Sequence, residues 1–384
     1  MSRKIVIIGA GFSGTTLAIR LAKEAVDAHI FLIEKSTEHL FRGAAYIKYN
    51  DSHLLNVKAS DMGAMSENPN EFFEWLNQKY PNVFRSDEFV SRSLYGDYLT
   101  ELISPLIDKK ITIIQDEIID LDQENKLVMG KKESYQADEV VLSVGANYFQ
   151  EMFDKSLLDQ KSIHILGAGL SAIDYINELV LSGYQGKIHL YSRRALVPMV
   201  HEAANNFKFE FDTRGISLFK LFIKIRSAIK SQRENQFIVH ALRPHLSLLW
   251  HQFSPKEKRQ FKKYLRPYWE VFRHRMSVKQ FEILQKLKNE NRLTISKVNS
   301  NIFDDIKLID CRGFKPLSEM NLYNAIIERR IAGPDELGWG LCDIKYNWIK
   351  VLGPMQRYEK FEITAVKEIR DEVKALALSL QNPR

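Results

Sequence analysis

The hydrophobic pattern of the chain opens with a short strand, a glycine-rich turn and a helix. Arg3–Ile8 is an apolar run rich in β-branched residues, and the sequence Gly-Ala-Gly-Phe-Ser-Gly follows at once in residues 9–14. Apolar residues then recur at helical spacing from Leu17 onward. A second apolar strand is predicted at residues 29–33. It ends at the carboxylate of Glu34, twenty residues after the last glycine of the turn.

This succession predicts a dinucleotide-binding unit. The first glycine permits the tight turn, the second lets the backbone approach a pyrophosphate, and the third lets the helix pack on the strand. The helix N-terminus presents free N–H groups and a positive dipole end to the phosphates, and the terminal carboxylate is expected to bind the adenosine ribose. The predicted cofactor-binding residues of this unit are Gly9, Gly11, Phe12, Ser13, Gly14, Glu34 and Lys35.

The same pattern returns at residue 162. A strand at residues 162–166 precedes a Gly-Ala-Gly-Leu-Ser-Ala turn, and a helix face and another strand at residues 187–191 follow. Recurrence of the whole pattern predicts a second dinucleotide site. Its turn contributes Gly167, Gly169, Leu170 and Ser171.

The two units align without gaps, and they differ where the second strand ends. The first unit has Glu34 at this point, whereas the second has Ser192 followed by Arg193 and Arg194. A carboxylate would repel a 2′-phosphate, while a hydroxyl and guanidinium groups would bind one. The first site is therefore predicted to bind FAD and the second NADPH. The alternative is that both arginines are solvated loop charges.

The remaining pattern predicts an α/β fold with two Rossmann-like dinucleotide-binding domains and a basic helical insertion. Residues 37–70 lack a regular period and are expected to form a long functional loop. A buried strand at residues 139–144 ends at Gly145, where the chain should leave the first nucleotide domain. The expected divisions are a discontinuous FAD-binding domain (residues 1–150 and 300–384), an NAD(P)H-binding core (160–214) and the insertion (215–293).

The C-terminal segment is expected to complete the FAD domain. A strand ends at Gly353, and the last helix is predicted from about Thr364 to Leu380. In two-nucleotide flavoproteins, a helix N-terminus of this kind, here with Glu362, Thr364 and Ala365, can point at the flavin pyrimidine edge. Its dipole would stabilise negative charge on a reduced ring.

Composition narrows the class of protein and its compartment. Of 384 residues, 45% are hydrophobic and 27% charged, as in globular proteins. No stretch approaches the roughly 20 apolar residues of a membrane span. The two cysteines, Cys311 and Cys342, are too few for a disulfide framework and are not spaced as CxxC. We therefore expect a cytoplasmic protein, and no metal site is predicted.

The net charge of +7 is unevenly distributed. Residues 208–297 hold 21 Lys and Arg against 7 Asp and Glu, with aromatic residues interleaved. This basic block could cap the NADPH site and attract an anionic cofactor, which we favour. It could also contact an anionic membrane peripherally, within residues 215–293, or bind nucleic acid. No nucleic-acid motif accompanies it, so no nucleic-acid partner is expected.

The paired glycine-rich units resemble two-dinucleotide flavoproteins: flavin monooxygenases, N-hydroxylases and pyridine nucleotide–disulfide reductases. Four further stretches resemble the YdhS-like FAD/NAD(P)-binding proteins, over nearly the whole chain. They are residues 53–57, 92–99, 266–269 with 273–275, and 361–366 with 369–370. The resemblance implies FAD in the first unit and a reduced nicotinamide cofactor in the second, but no particular substrate. Residues 340–353 are short for this pattern, and Gln356-Arg357-Tyr358 replaces an expected glycine-containing turn.

Candidate catalytic residues lie outside the turns. A monooxygenase needs a closed pocket with hydrogen-bond donors, and Asn56, with His53 nearby, is the candidate donor. Both residues could instead only brace their loop. Arg92 could pair with the pyrophosphate or an acidic substrate, or lie on the surface. His274 could bind a substrate carboxylate or act as an acid, although its neighbouring arginines are expected to lower its pKa.

These residues favour an FAD-dependent, NADPH-consuming oxidoreductase. Without CxxC, a dithiol relay is unsupported, so electrons should pass from NADPH through the flavin to O2 or a small acceptor. The first hypothesis is a single-component monooxygenase of a small molecule, such as an N-hydroxylase of an amine or amino acid. The alternatives are a reductase or oxidase acting on a quinone, small electrophile or O2, and a non-catalytic redox sensor or docking protein. The arginine pair favours an active NADPH site over the third hypothesis.

Overall fold

A computed structural model describes residues 2–24, 26–48, 50–147, 153–201, 212–232, 237–298 and 308–381. The chain forms two compact units. The first unit comprises residues 1–147 and 316–384, and the second comprises residues 148–315. The predicted domain boundaries at residues 150 and 300 lie outside the described residues. Ala25 and Lys307, which the hydrophobic pattern places in the first helix and in a late strand, also lie outside them.

Each unit opens with a strand, a helix and a second strand, as the hydrophobic pattern predicts. The strands are β1 (Arg3–Ile8), β2 (Ala28–Glu34), β3 (Ile111–Gln115), β4 (Ile118–Asp122), β5 (Leu127–Gly130), β6 (Ser134–Gln136), β7 (Glu139–Leu142), β8 (Ser162–Leu166), β9 (Lys187–Ser192), β10 (Leu293–Lys297), β11 (Leu308–Asp310), β12 (Gly333–Pro334), β13 (Leu341–Cys342) and β14 (Ile349–Val351). The α-helices are α1 (Phe12–Lys23), α2 (Glu71–Lys79), α3 (Arg92–Ile103), α4 (Leu170–Leu181), α5 (Leu218–Gln232), α6 (Phe237–Leu242), α7 (Leu246–Gln252), α8 (Pro255–Gln260), α9 (Arg266–Arg273), α10 (Val278–Asn289), α11 (Asn321–Glu328) and α12 (Val366–Gln381).

The first unit is built on a parallel five-stranded sheet, with strand order β14-β7-β1-β2-β3. The central strand β1 is apolar on both faces because helices cover one face and further strands the other. Ile5 and Ile7 pack into the core beneath α1 and α12, whereas Val6 and Ile8 face a second core. That second core includes the antiparallel sheet β4-β5-β6 and helix α11.

The second unit is built on a parallel four-stranded sheet, with strand order β10-β9-β8-β11. Helices α4 and α10 pack around its core. Strand β11 pairs with β8, with Leu308 opposite His164. Residues 308–315 therefore belong to the second unit, and the sequence-based assignment of residues 300–384 to the FAD domain begins too early. A three-residue strand has too little periodic signal to reveal which sheet it joins.

The basic block of the second unit is helical. Helices α5 to α9 follow one another with short connections, and a π-helical segment, Phe261–Leu265, lies between α8 and α9. Within the residues that the structure describes, no helix combines the length and apolar character needed to cross a membrane. The α/β fold class expected from the sequence is confirmed.

Candidate dinucleotide-binding sites

The first glycine-rich turn requires glycine at its opening position. Gly9 has a φ of +98°, and its N–H donates to the Ile33 carbonyl at 2.8 Å. A Cβ on Gly9 would lie 2.6 Å from the Ser143 carbonyl oxygen at the end of β7. The turn therefore joins the carboxyl ends of β1, β2 and β7, which is the edge where parallel α/β sheets bind ligands.

The N-terminus of α1 is buried and lacks a side-chain cap. The first helical hydrogen bond runs from the Thr15 N–H to the Gly11 carbonyl at 2.9 Å, and Gly11 offers no capping side chain. The N–H groups of Phe12, Ser13 and Gly14 precede that bond, and Phe12 and Ser13 are only 7% and 6% exposed. Buried N–H groups at a helix N-terminus need an acceptor, and a phosphate supplies one. The residues present therefore fit a dinucleotide pyrophosphate.

Glu34 contacts the turn itself. Its buried carboxylate accepts hydrogen bonds from the Ala10 N–H at 2.9 Å and from the Lys35 N–H at 3.0 Å. The Lys35 side chain is exposed. Glu34 is thus at the end of β2 beside the turn, as the spacing predicts. Binding of a ribose by this carboxylate stays a prediction, because the structure shows it bonded to the chain's own backbone.

A loop covers the first turn, a contact that no motif in the sequence predicts. Gly43 has a φ of +54°, and a Cβ on it would lie 3.0 Å from the Gly11 Cα. The preceding Arg42 is buried, donates to the Ser93 carbonyl at 3.2 Å and forms an ion pair with Asp97 of α3. Arg42 thereby ties this part of the chain to α3. We call residues 41–43 the covering loop.

The C-terminal segment reaches the same turn. Gly353, after β14, has a φ of +84°, and a Cβ there would lie 2.6 Å from the Ser13 Oγ. The Glu362 carbonyl accepts the Thr364 N–H at 2.6 Å and the Ala365 N–H at 3.2 Å in a tight turn before α12. Helix α12 packs directly on α1. The segment therefore lies within the first unit, and the predicted contact of its helix N-terminus with a flavin stays a prediction.

Gly145 follows β7 with a φ of +71°. No described atom lies within 4 Å of the position that a Cβ on it would take. The chain therefore leaves the sheet here in a left-handed conformation that favours glycine. Its role in binding the cofactor stays a prediction.

The structure places Arg92, the first residue of α3, against the loop that contains His53 and Asn56. The Arg92 N–H donates to the His53 carbonyl at 2.8 Å, and its Nε donates to the Leu54 carbonyl at 3.0 Å. Burial, and secondarily the Arg92 charge, lowers the pKa of His53 to about 4. His53 is therefore neutral at pH 7 and cannot serve as a general acid there, while Asn56 is half-buried in the same loop.

Residues 335–340 form a buried polar loop against the segment in which the expected glycine-containing turn is missing. Asp335 accepts the Leu337 N–H at 2.7 Å and the Trp339 N–H at 2.9 Å. Arg357 lies 4.9 Å above the Trp339 ring, which stacks on Phe361. Sequence reasoning did not single out these residues, although an Asp followed closely by glycines is a turn signal.

The second glycine-rich turn repeats the backbone of the first. Gly167 has a φ of +105°, and its N–H donates to the Tyr191 carbonyl at 2.8 Å. Gly169 begins α4 with φ −80° and ψ −173°, close to the −74° and −168° of Gly11. Leu170 and Ser171 form the first turn of α4. Because the N-terminus of α4 also lacks a side-chain cap, this turn fits a second pyrophosphate.

The end of β9 carries the residues predicted to bind the 2′-phosphate. Ser192 is half-buried and Arg193 is exposed. Arg194 donates from Nη2 to the Lys263 carbonyl at 3.2 Å, and its guanidinium carbon lies 5.1 Å from the centre of the Tyr268 ring. Arg194 is therefore held by the basic helices and is not simply a solvated loop charge. Its contact with a cofactor stays a prediction.

His274 of the basic helices contacts an acidic side chain. Its Nε2 lies 3.0 Å from the Glu270 carboxylate, one helical turn earlier. The same carboxylate accepts from the Arg266 Nε at 3.0 Å. The structure therefore places a carboxylate beside this imidazole, a contact that the adjacent arginines in the sequence do not indicate, because side chains four residues apart lie on one face of a helix. A catalytic role of His274 stays a prediction.

Both cysteines are free thiols. Cys311 is buried at the end of β11, and its carbonyl oxygen lies 2.3 Å from the position of a Cβ on Gly167. Burial, with Asp343 nearby, raises the pKa of Cys342 to about 11. Cys342 is accordingly protonated at neutral pH, so it does not have the properties of a thiolate nucleophile.

Residues 6–147 match a protein-family model described as FAD-NAD(P)-binding. This stretch contains the first glycine-rich turn, Glu34 and the covering loop. Dinucleotide binding by the first unit therefore rests on the family match as well as on the geometry. No curated protein matches the chain in sequence.

Solved structures of flavoproteins share the fold of the whole chain. An ornithine N-hydroxylase from Kutzneria sp. 744, in a complex with reduced FAD, NADP⁺ and L-ornithine, has 14% identity and a TM-score of 0.66, with 99% of each chain covered. An L-lysine 6-monooxygenase from Pseudomonas syringae has 15% identity and a TM-score of 0.64, again with 99% of each chain covered. A bacillithiol disulfide reductase from Staphylococcus aureus has 11% identity and a TM-score of 0.54, with 98% of each chain covered. The chain therefore has the fold of the two-dinucleotide-binding flavoproteins, a fold used by oxidoreductases.

Proposed function

We propose that the protein is an FAD-dependent, NADPH-consuming oxidoreductase. The observation that carries this proposal is that the same turn geometry occurs twice, followed by an acidic residue in one unit and by basic residues in the other. Glu34 ends the second strand of the first unit, whereas Ser192, Arg193 and Arg194 occupy the equivalent position in the second. A carboxylate suits a ribose diol, and guanidinium groups suit a 2′-phosphate.

The surroundings of the two turns support the same assignment of cofactors. The first turn is covered by residues 41–43 and by Gly353, and its helix N-terminus is buried. Enclosure by the chain's own loops suits a cofactor that stays bound, as FAD does. Around Gly169, no described atom lies within 4 Å of the position of a Cβ. That openness suits NADPH, which must enter and leave in each turnover.

Within this class we propose a monooxygenase that acts on a small amine or amino acid. The ornithine N-hydroxylase and the lysine 6-monooxygenase support this choice, because their folds match the chain over 99% of its length. The residues that resemble YdhS-like proteins support the same general class. The reaction would transfer one oxygen atom of O2 to the substrate nitrogen and release the other as water, with two electrons from NADPH.

FAD, when bound, supplies the chemistry that accepts a hydride from NADPH and passes electrons to oxygen. The chain's own residues would bind and shield it. His53, which is neutral at pH 7, Asn56 and Arg92 form the candidate polar lining in the first unit. His53 and Asn56 are neutral and can orient a substrate without delivering a proton, and the Arg92 guanidinium keeps its protons at pH 7, so we assign these residues to positioning and to the exclusion of water.

The basic helices are proposed to serve the NADPH site, because Arg194 contacts Lys263 and Tyr268 within them. Peripheral membrane contact stays a second proposal for the same block. Phe219 and Ile223 of α5 are 71% and 46% exposed and flank exposed Lys220. Co-sedimentation with anionic and neutral vesicles would separate these uses. A cytoplasmic location also stays a prediction.

The test is turnover of the purified protein loaded with FAD. The protein is reduced anaerobically with NADPH and then mixed with O2, in the presence and absence of L-ornithine, L-lysine and other small amines. We expect rapid bleaching of the flavin absorbance by NADPH. With an accepted amine, we also expect about one hydroxylated product per NADPH consumed. Parallel measurements with NADH provide the control for the cofactor assignment.

Other outcomes would select another function. The disulfide reductase fold match supports an NADPH-dependent reductase as the second candidate. Rapid bleaching with hydrogen peroxide as the sole oxygen product, for every amine tried, would favour that reductase or an oxidase. Failure of both NADPH and NADH to bleach the flavin would contradict the oxidoreductase proposal and favour a redox sensor.

A further inference from the structure

Arg194, a residue of the predicted NADPH site, has a side chain that is held by the basic helices of the second unit. Two groups in the basic helices contact it. The Lys263 carbonyl lies 3.2 Å from its Nη2, and the Tyr268 ring centre lies 5.1 Å from its guanidinium carbon. One contact fixes an edge of the guanidinium and the other fixes its face. Together they restrict a side chain that would otherwise have several rotatable bonds.

The Lys263 carbonyl is available because of the local helix geometry. It lies in the π-helical segment Phe261–Leu265, where the Arg266 N–H bonds to the Phe261 carbonyl five residues earlier. In an α-helix, residue 267 would donate to the Lys263 carbonyl, but Pro267 has no N–H. The carbonyl therefore keeps acceptor capacity for a side chain. Single π-helical turns of this kind are frequent at functional sites.

We propose that Tyr268 and the Lys263 carbonyl are positioning elements that preorganise Arg194 to bind the 2′-phosphate of NADPH. They would set the preference of the protein for NADPH over NADH. This inference rests on the proposed function of the second unit and deepens it. A guanidinium already fixed at one edge and one face loses less conformational entropy when it binds a phosphate through its remaining donors.

The location of the contact supports a role in cofactor choice. Arg194 lies two residues beyond Ser192, which occupies the position equivalent to Glu34 in the first unit. That position is where dinucleotide-binding folds distinguish a ribose diol from a 2′-phosphate. Arg193 is exposed beside it, so two guanidinium groups are available at this point. The basic helices therefore contribute to specificity through Arg194.

The chain offers a matched control for Tyr268. Tyr264 lies one turn earlier, and Tyr264 and Tyr268 are 50% and 47% exposed. The Tyr264 ring also carries a cation, since Lys263 Nζ lies 5.1 Å from its centre. It does not carry Arg194. Tyr264→Leu therefore removes a ring of similar exposure and a similar cation–π contact without touching the proposed positioning contact.

The experiment measures dissociation constants of NADP⁺ and NAD⁺ for the FAD-loaded protein. We expect Tyr268→Leu to weaken NADP⁺ binding about two- to fivefold and to leave NAD⁺ binding unchanged. Tyr268→Phe, which keeps the ring face, should retain the preference for NADP⁺. Tyr264→Leu should also retain it. Unchanged NAD⁺ binding shows that the variant is folded.

A double-variant comparison distinguishes positioning from a direct contact. If Tyr268 acts through Arg194, then Arg194→Ala combined with Tyr268→Leu should bind NADP⁺ no more weakly than Arg194→Ala alone. Equal loss of NADP⁺ and NAD⁺ binding in Tyr268→Leu, or an unchanged NADP⁺ preference, would overturn the positioning role. The NADPH assignment would still stand in that case if Arg194→Ala lost the preference. A wild-type protein without any preference for NADP⁺ would overturn both.

Discussion

The two glycine-rich turns have the same backbone but different surroundings. Gly9 and Gly167 share the left-handed conformation and the same hydrogen bond to the neighbouring strand. In the first unit, a Cβ at Gly14 would lie 2.0 Å from the Gly9 carbonyl oxygen. The second unit has a fully buried alanine, Ala172, at the equivalent position. Helix α1 therefore approaches its turn more closely than α4 approaches the second turn.

One supersecondary motif is thus set in two environments, which suit two modes of cofactor use. The first turn is tight and covered by Gly43 of the covering loop and by Gly353 of the C-terminal segment. Among the described residues, nothing lies against Gly169 of the second turn, and an arginine pair follows the next strand. Enclosure favours retention, whereas openness and positive charge favour rapid capture of an anionic cofactor. Substitutions in each unit can test this division between retention of FAD and capture of NADPH.

Exchange of glycine and alanine at the third position of the two turn motifs, Gly14 and Ala172, should affect the two units unequally. Gly14→Ala forces a Cβ against the backbone oxygen of Gly9, so we expect a loss of about 3 kcal/mol of stability and loss of bound FAD. Ala172→Gly adds backbone freedom and removes one buried methyl group, so it should cost about 1–2 kcal/mol. Urea unfolding gives the free energies, and flavin absorbance of the purified proteins gives the FAD content.

Retention of full FAD content by Gly14→Ala would contradict the close packing of the first turn. Loss of FAD from Ala172→Gly, at unchanged stability, would contradict the assignment of FAD to the first unit. Both variants change one methyl group in a helix N-terminus. They therefore serve as controls for each other.

Removal of the Glu34 carboxylate should affect only the first unit. Glu34→Ala leaves the Ala10 N–H without its acceptor, which costs about 1–3 kcal/mol for a buried group, and it removes the predicted ribose ligand. We expect weaker retention of FAD, measured as flavin released on dilution and filtration. Ser192→Ala is the matched change in the second unit and should leave flavin retention unchanged. Full flavin occupancy in Glu34→Ala would argue against the ribose role.

Acid should destabilise the first unit through His53. Its folded-state pKa of about 4 lies below the ordinary value of 6.5, so the unfolded chain binds the proton more readily. Stability is therefore retained at pH 7 and lost as the pH falls from 6.5 towards 4. The expected contribution is a loss of about 2 kcal/mol between pH 7 and pH 5.

The measurement is urea unfolding at pH 7 and pH 5 for the wild type and for His53→Gln. The variant lacks the titrating group, so its loss of stability on acidification should be smaller by that amount. An identical loss in both proteins would show that His53 titrates normally. Release of FAD over the same pH interval would connect the titration of His53 with the FAD site of the first unit.

The turns were predictable because their signal is local. A β-branched strand, three spaced glycines and a helical period lie within about two dozen residues, and each has a direct physical meaning. The covering of Gly11 by Gly43, and the contact of Arg194 with Lys263, were not predictable. These contacts join residues far apart in sequence, and no periodic pattern specifies them.

Two contacts lie beyond what local signals specify. Strand β11 follows the helical insertion in sequence but pairs with β8, and three residues do not encode which sheet they join. The contact of His274 with Glu270 has the spacing of four residues that a helix brings onto one face, but the sequence does not show which of several charged neighbours an imidazole meets.

Removal of the exposed Arg193 side chain tests whether the second unit recognises the 2′-phosphate, and we expect it to have the smallest effect. Arg193 is exposed, so Arg193→Ala should leave the fold intact and raise the KM for NADPH about tenfold, with little change for NADH. Steady-state oxidation of both cofactors gives the two KM values. Arg214→Ala is the control, because Arg214 is an exposed arginine of the same unit paired with Asp212. A parallel rise for NADPH and NADH would mean that Arg193 attracts any dinucleotide by charge. Recognition of the 2′-phosphate in the second unit would then rest on Arg194.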